Sequence, residues 1–185
     1  MKKIFLLFFF CLSACTNLFP QKRSVGYLNA GAALFVPWNY HSDAVFFPAF
    51  TLTPGIKFFQ DKDFAVVLNF PLSAGLTYKS DAFAGIDLPA MLILNIGSAA
   101  GNNANARFGF IIGAGAAYTN VVNHYDDLQS KKIHTEFWGY RFNLGVSFKY
   151  DRDIVPSIIC TYGKSITPNN GSIVGIGLQL IMINL

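Results

Sequence analysis

Between Trp138 and Tyr150 every second side chain is large and apolar: Trp138, Tyr140, Phe142, Leu144, Val146, Phe148 and Tyr150. Between them stand Gly139, Arg141, Asn143, Gly145, Ser147 and Lys149. A period of two is the strand period, so this segment carries one bulky apolar face and one small or polar face. The pattern recurs, and eight such runs can be counted, at 25–36, 50–58, 64–78, 84–96, 108–118, 138–150, 154–162 and 173–183. The second is weakened by Pro54, whereas the third alternates from Phe64 to Tyr78 almost without fault. A chain of 185 residues with eight strands in series and no helical period predicts a single all-β domain.

Alternation alone does not say which face meets the solvent. An eight-stranded barrel has an interior only just wide enough for side chains to fill. The Trp, Tyr, Phe and Leu face summed over eight strands overfills that space, while the Gly, Ala, Ser and Asn face fits it. The bulky face is therefore expected outside. Composition agrees, because only 13% of the residues are charged, against about 25% in an ordinary soluble domain. An outward apolar face requires lipid. The twelve steps from Trp138 to Tyr150, at about 3.3 Å each and tilted by about 45°, climb roughly 28 Å, close to the hydrocarbon thickness. Trp138 and Tyr140 at one end, with Phe148 and Tyr150 at the other, are placed as two interfacial girdles, and Tyr78 closes its own strand in the same way.

Past the N-terminus no stretch reaches the ~18 unbroken apolar residues of a membrane helix. Residues 1–20 read as an export signal: basic Lys2 and Lys3, an apolar run from Ile4 to Leu12, then small Ser13 and Ala14. "LSAC", ending at Cys15, also has the form of a lipobox, so Cys15 is a candidate for acylation; cleavage near Ala14 or just beyond is the other reading. Cys11 and Cys15 belong to this segment, which leaves Cys160 without a mature partner and the chain without a disulfide framework or CxxC metal site. The net charge of +4 is scattered, with no basic stripe of the kind that tracks nucleic acid.

Connection lengths orient the strands. With the N-terminus inside, 37–48, 79–83, 119–135 and 163–171 become external loops, and 60–63, 97–105 and 151–153 become internal turns. Two of the external set are the longest connections, as expected of membrane barrels, and 79–83 is the exception.

With "GIDLPAMLILNIG", the Gly/Asn-rich turn after it and "RFGFIIGAGAAYTNV" in place, the chain resembles, over residues 24–185, the small eight-stranded outer-membrane β-barrel proteins of Gram-negative bacteria. The resemblance implies an eight-stranded antiparallel up-and-down transmembrane β-barrel following a signal peptide. It also implies a place in the outer membrane, contact with its lipid and lipopolysaccharide, and delivery by the barrel-assembly machinery. Members of the family usually end in an aromatic residue that helps this machinery recognise the last strand, whereas this chain ends at Leu185.

On the inward parity, Asp87 and Arg141 lie at similar depths below the external rim and are expected to pair across a narrow polar lumen, because a charge in a low-dielectric interior needs a partner. Lys57, Arg107 and Lys149 fall near the internal ends as a basic collar, or as long side chains snorkelling to water. For function, the first reading is a structural or surface-interaction barrel whose loops "PWNYHSDAVFFP" and "NVVNHYDDLQSKKIH" meet envelope components or outside partners. The second is an outer-leaflet enzyme performing acyl chemistry on lipid A. His41, Ser42 and Asp43 are adjacent in the first loop, but neighbours on an extended chain point in different directions. The third is a soluble periplasmic ligand-binding barrel, which requires the aromatic faces to turn inward. His124, Asp126, Asp127, His134 and Glu136 lack a recognised metal spacing, and the glycines alternate along strands instead of forming a phosphate-cradling loop. No catalytic residue, metal or cofactor is expected.

Overall fold

An isolated alternating strand exposes both its ladder groups and its apolar face, and closing the sheet on itself satisfies the ladder without leaving an edge. The computed structural model describes residues 26–38, 44, 46–76, 83–100, 106–126, 131–150, 154–166 and 171–182. The strands are β1 (Gly26–Trp38), β2 (Phe47–Gln60), β3 (Phe64–Asn69), β4 (Leu72–Leu76), β5 (Phe83–Gly97), β6 (Phe108–Asp126), β7 (Lys131–Phe148), β8 (Ile154–Ser165) and β9 (Ser172–Met182). Every pairing is antiparallel: β2 and β5 each pair with both β3 and β4, β5 to β9 pair in chain order, and β1 pairs with both β2 and β9 to close the ring. β3 and β4 together make one wall strand, so nine segments form an eight-stranded up-and-down barrel.

The break between β3 and β4 has a covalent cause. The registers Asn69↔Met91 and Ser73↔Asp87 bring Pro71 opposite Pro89 of β5, and neither ring can donate to the ladder. On the other side Phe70 N still donates to Pro54 O at 2.9 Å, which keeps the two halves in line.

β6 and β7 depart most from expectation. Residues 119–135 were expected as a loop, yet the two strands stay paired from Phe108↔Phe148 out to Asp126↔Lys131, with a bulge between Val122 and His124. Their outer neighbours stop earlier, β5 at Gly85↔Val121 and β8 at Gly139↔Ser165. The hairpin therefore stands beyond the ring. Alternation marks a strand only where its two faces meet different environments, and a hairpin outside the ring has no such contrast to impose.

The bulky faces do point outward: Phe50, Phe110, Phe142, Leu144 (62% exposed) and Leu178 form a continuous apolar belt. The expectation of a small, polar lumen holds only for its middle. At the hairpin end, Phe35, Phe47, Val121, Phe137 and Ile173 pack together inside the barrel. At the turn end, Val67, Met91, Ile93, Ile111, Val155 and Ile181 do the same. Glycine makes this possible: a Cβ on Gly175 would strike the ring of Phe35, and one on Gly171 the ring of Phe137. Lumen volume is limited as a sum, so a large side chain fits wherever its neighbour has none. The turn after β5 also folds inward, starting from Gly97 at φ 66°, a left-handed conformation suited to glycine. It buries Ser98, Ala99 and Ala100, and the Ser98 and Ser147 hydroxyls lie 2.7 Å apart in a hydrogen bond.

Candidate functional site

Between the two apolar clusters lies a polar layer built around Arg141. Its inward position follows from the strict alternation of β7, and its strand neighbours are Gly115 on β6 and Gly163 on β8. Neither has a side chain to fill the space that the guanidinium needs. A Cβ on Gly163 would lie 3.1 Å from Arg141 Nε.

Arg141 forms an ion pair with Asp87, and the two side chains are 1% and 2% exposed. The partners lie two wall strands apart, on β7 and β5. They were expected to meet across the lumen, and instead the bridge runs along the wall over β6. Thr119, directly opposite Asp87 in the ladder, completes it. Its hydroxyl donates to Asp87 Oδ1 at 2.7 Å and accepts from Arg141 Nη2 at 2.9 Å. One hydroxyl thus serves both charges, which shields each from the low-dielectric interior. The sequence pattern alone assigns Thr119 to the 119–135 connection, although it continues the inward parity of Gly113, Gly115 and Ala117.

Further hydroxyls and amides extend the layer. Thr51 and Ser73 share a hydrogen bond of 2.9 Å, and Thr161 donates to Asn143 Oδ1 at 3.0 Å. A cavity of about 30 Å³, bordered by Asp87, Arg141, Asn143, Thr161 and Gln179, is polar and roomy enough to hold ordered water. Arg141 Nε and Nη1, which have no protein partner among the described residues, suit such a water.

The other expected residues are more dispersed. Lys57 turns into the lumen at 5% exposure and donates to Gln60 Oε1 at 3.5 Å. Arg107 and Lys149 sit on the far side of the ring, joined through Lys149 N donating to Arg107 O at 2.8 Å. Trp138, Tyr140, Phe148 and Tyr150 all face outward. Trp138 packs on Tyr118 with ring centroids 5.0 Å apart, and Phe148 meets Phe108 edge-on at 5.4 Å. Tyr78, Cys15, the signal segment, His41, Ser42, Asp43 and Asp127 lie outside the described residues, as do the side chains of His124, Asp126 and His134.

Gly163→Val tests the packing around the guanidinium. The added methyls meet Arg141 Nε, Ile173 Cγ2 and Tyr140 O, all within 3.1 Å of a Cβ there. The expected loss is about 1–3 kcal/mol of unfolding free energy, the usual cost of overpacking, read from a urea titration of the barrel in micelles.

A closed antiparallel barrel with an apolar belt outside and its polar groups inside is a membrane β-barrel of the outer-membrane type. Solved structures agree on the fold. Neisserial surface protein A matches at TM-score 0.58 and 12% identity, over 85% of this chain and 96% of its own. Ail, the attachment invasion locus protein of Yersinia pestis, matches at TM-score 0.57 and 11% identity, over 86% and 98%. The N-terminal β-barrel domain of Pseudomonas aeruginosa OprF matches at TM-score 0.50 and 12% identity, over 86% and 100%. The fold is thus that of the small outer-membrane β-barrels. No family model matches the chain, and no curated protein matches it in sequence.

Proposed function

We propose that the chain is an integral outer-membrane barrel with a structural or surface-interaction role, closed to solutes, whose external segments meet envelope components or outside partners. The filled lumen carries this reading. Among the described residues, an apolar cluster at each end, the Arg141–Thr119–Asp87 bridge between them and the inward-folded turn at 98–100 fill much of the interior and border a polar cavity of about 30 Å³. Among the described residues, the β6–β7 hairpin extends beyond the ring. Ail, of similar fold, has been crystallised in complex with the heparin analogue sucrose octasulfate, which supports an outer surface that engages polar partners. Surrounding lipid and lipopolysaccharide, and the barrel-assembly machinery during biogenesis, are the partners this reading implies.

Two measurements test it. Reconstituted in planar bilayers, the protein should show no steady single-channel conductance; regular openings would defeat the closed-lumen reading. Cells with and without the gene should have the same lipid A acylation profile, and a missing or added acyl chain would favour the enzyme. The soluble-barrel reading needs inward aromatic faces, whereas Trp138, Tyr140 and Phe142 face outward.

A further inference from the structure

The outward face is apolar almost everywhere, and its exceptions gather in one place. Among the strand residues whose side chains are described, the outward-facing charges are Glu136 on β7 and Lys164 on β8. They flank Trp138, which is 58% exposed. Glu136 lies opposite Asn120, Trp138 opposite Tyr118, and Tyr140 opposite Lys164. The group is internally ordered: Tyr118 Oη donates to Glu136 Oε1 at 2.9 Å, and Asn120 Nδ2 donates to Tyr118 Oη at 3.2 Å. These bonds hold the phenol at a fixed angle against the indole, with centroids 5.0 Å apart.

Height assigns the patch to an interface. From Ile154 to Lys164 is ten steps along β8, and at about 3.3 Å each, tilted by about 45°, Lys164 stands roughly 23 Å above the strand's start, near the upper edge of a ~25 Å apolar band. The patch lies at the end from which the β6–β7 hairpin projects, so it meets the headgroups of the outer leaflet. The same level elsewhere on the ring carries Val36, Trp38, Pro48, Leu76, Ile86 and Val174, none of them charged. A girdle that only anchored the barrel would not need charges confined to one side.

The geometry points to a binding site for the phosphorylated sugar headgroup of an outer-leaflet glycolipid, formed by Tyr118, Asn120, Glu136, Trp138, Tyr140 and Lys164. This rests on the outer-membrane reading above. The negative face of the Trp138 ring suits the weakly positive C–H face of a sugar. The Lys164 ammonium provides the cation for a phosphate on the β8 side. Glu136 repels that phosphate and, with the amide of Asn120, offers hydrogen bonds to sugar hydroxyl or amide groups on the β6 side. The charge order across the patch thus sets the headgroup's orientation.

The full chain, folded in neutral detergent micelles and titrated with lipid A, tests the site by native mass spectrometry. Lys164→Gln and Trp138→Leu should each raise the Kd for lipid A roughly five- to tenfold, the scale of one cation or one packed ring at a membrane surface. Lys164→Arg should restore binding, and Lys62→Gln at the opposite end should leave it unchanged. A heat-dependent gel shift checks that each variant is folded. Unchanged affinity in folded Lys164→Gln and Trp138→Leu overturns the site. So does equal binding of phosphatidylglycerol, which would show a general attraction to anionic lipid. Fractionation of the protein away from the outer membrane would instead overturn the parent reading, whatever the micelle titration shows.

Discussion

The Arg141→Met variant should unfold with about 3–5 kcal/mol less free energy than the parent protein, and Asp87→Ala with a similar loss. Either change strands a charge inside the barrel. Arg141 and Asp87 are among the most deeply buried residues, and the shared Thr119 hydroxyl cannot neutralise a lone carboxylate or guanidinium. The double variant removes both charges and should recover a large part of the loss, because the remaining cost is then mainly one of packing. Urea midpoints in micelles, with the heat-dependent gel shift as a check on folding, measure all three. Single variants within about 0.5 kcal/mol of the parent would show that water, and not the pair, solvates these charges.

Leu144→Arg should cost about 2–4 kcal/mol, the penalty for a cation on the lipid face at the bilayer midplane. Leu144 is the midpoint of the run from Trp138 to Tyr150 and is 62% exposed in the barrel alone. In water such a position tolerates arginine to within about 0.5 kcal/mol. Depth provides the control: Ile166→Arg, at the hairpin end of β8 and also outward, should cost only about 0–1 kcal/mol. The measurement is unfolding from lipid vesicles. Equal small costs at both positions would mean that the belt does not face hydrocarbon.

Most of the wall is legible in the sequence. Apolar residues at every second position identify a strand and its lipid-facing side at once, since bilayer and lumen impose opposite demands on adjacent residues. The weaknesses arise where that contrast fades. β6 and β7 continue past Val121 and Thr135 as a hairpin beyond the ring, so their pattern lapses while the pairing goes on. Pro71 kept the outward–inward rhythm of 64–78 intact, and its effect appears only with Pro89 opposite it on another strand.

The site divides along the same line. That Asp87 and Arg141 face inward follows from parity, a local property of each strand. That they meet along the wall over β6, with Thr119 between them, depends on register, and register is set jointly by neighbouring strands. The lumen is the clearer case. Its total volume could be judged from residue sizes, and this places the bulky faces outside. Yet Phe35 lies inside against Gly175, and Phe137 against Gly171. Side-chain volume belongs to each residue alone, whereas the room to hold it belongs to the residue the closed sheet brings alongside.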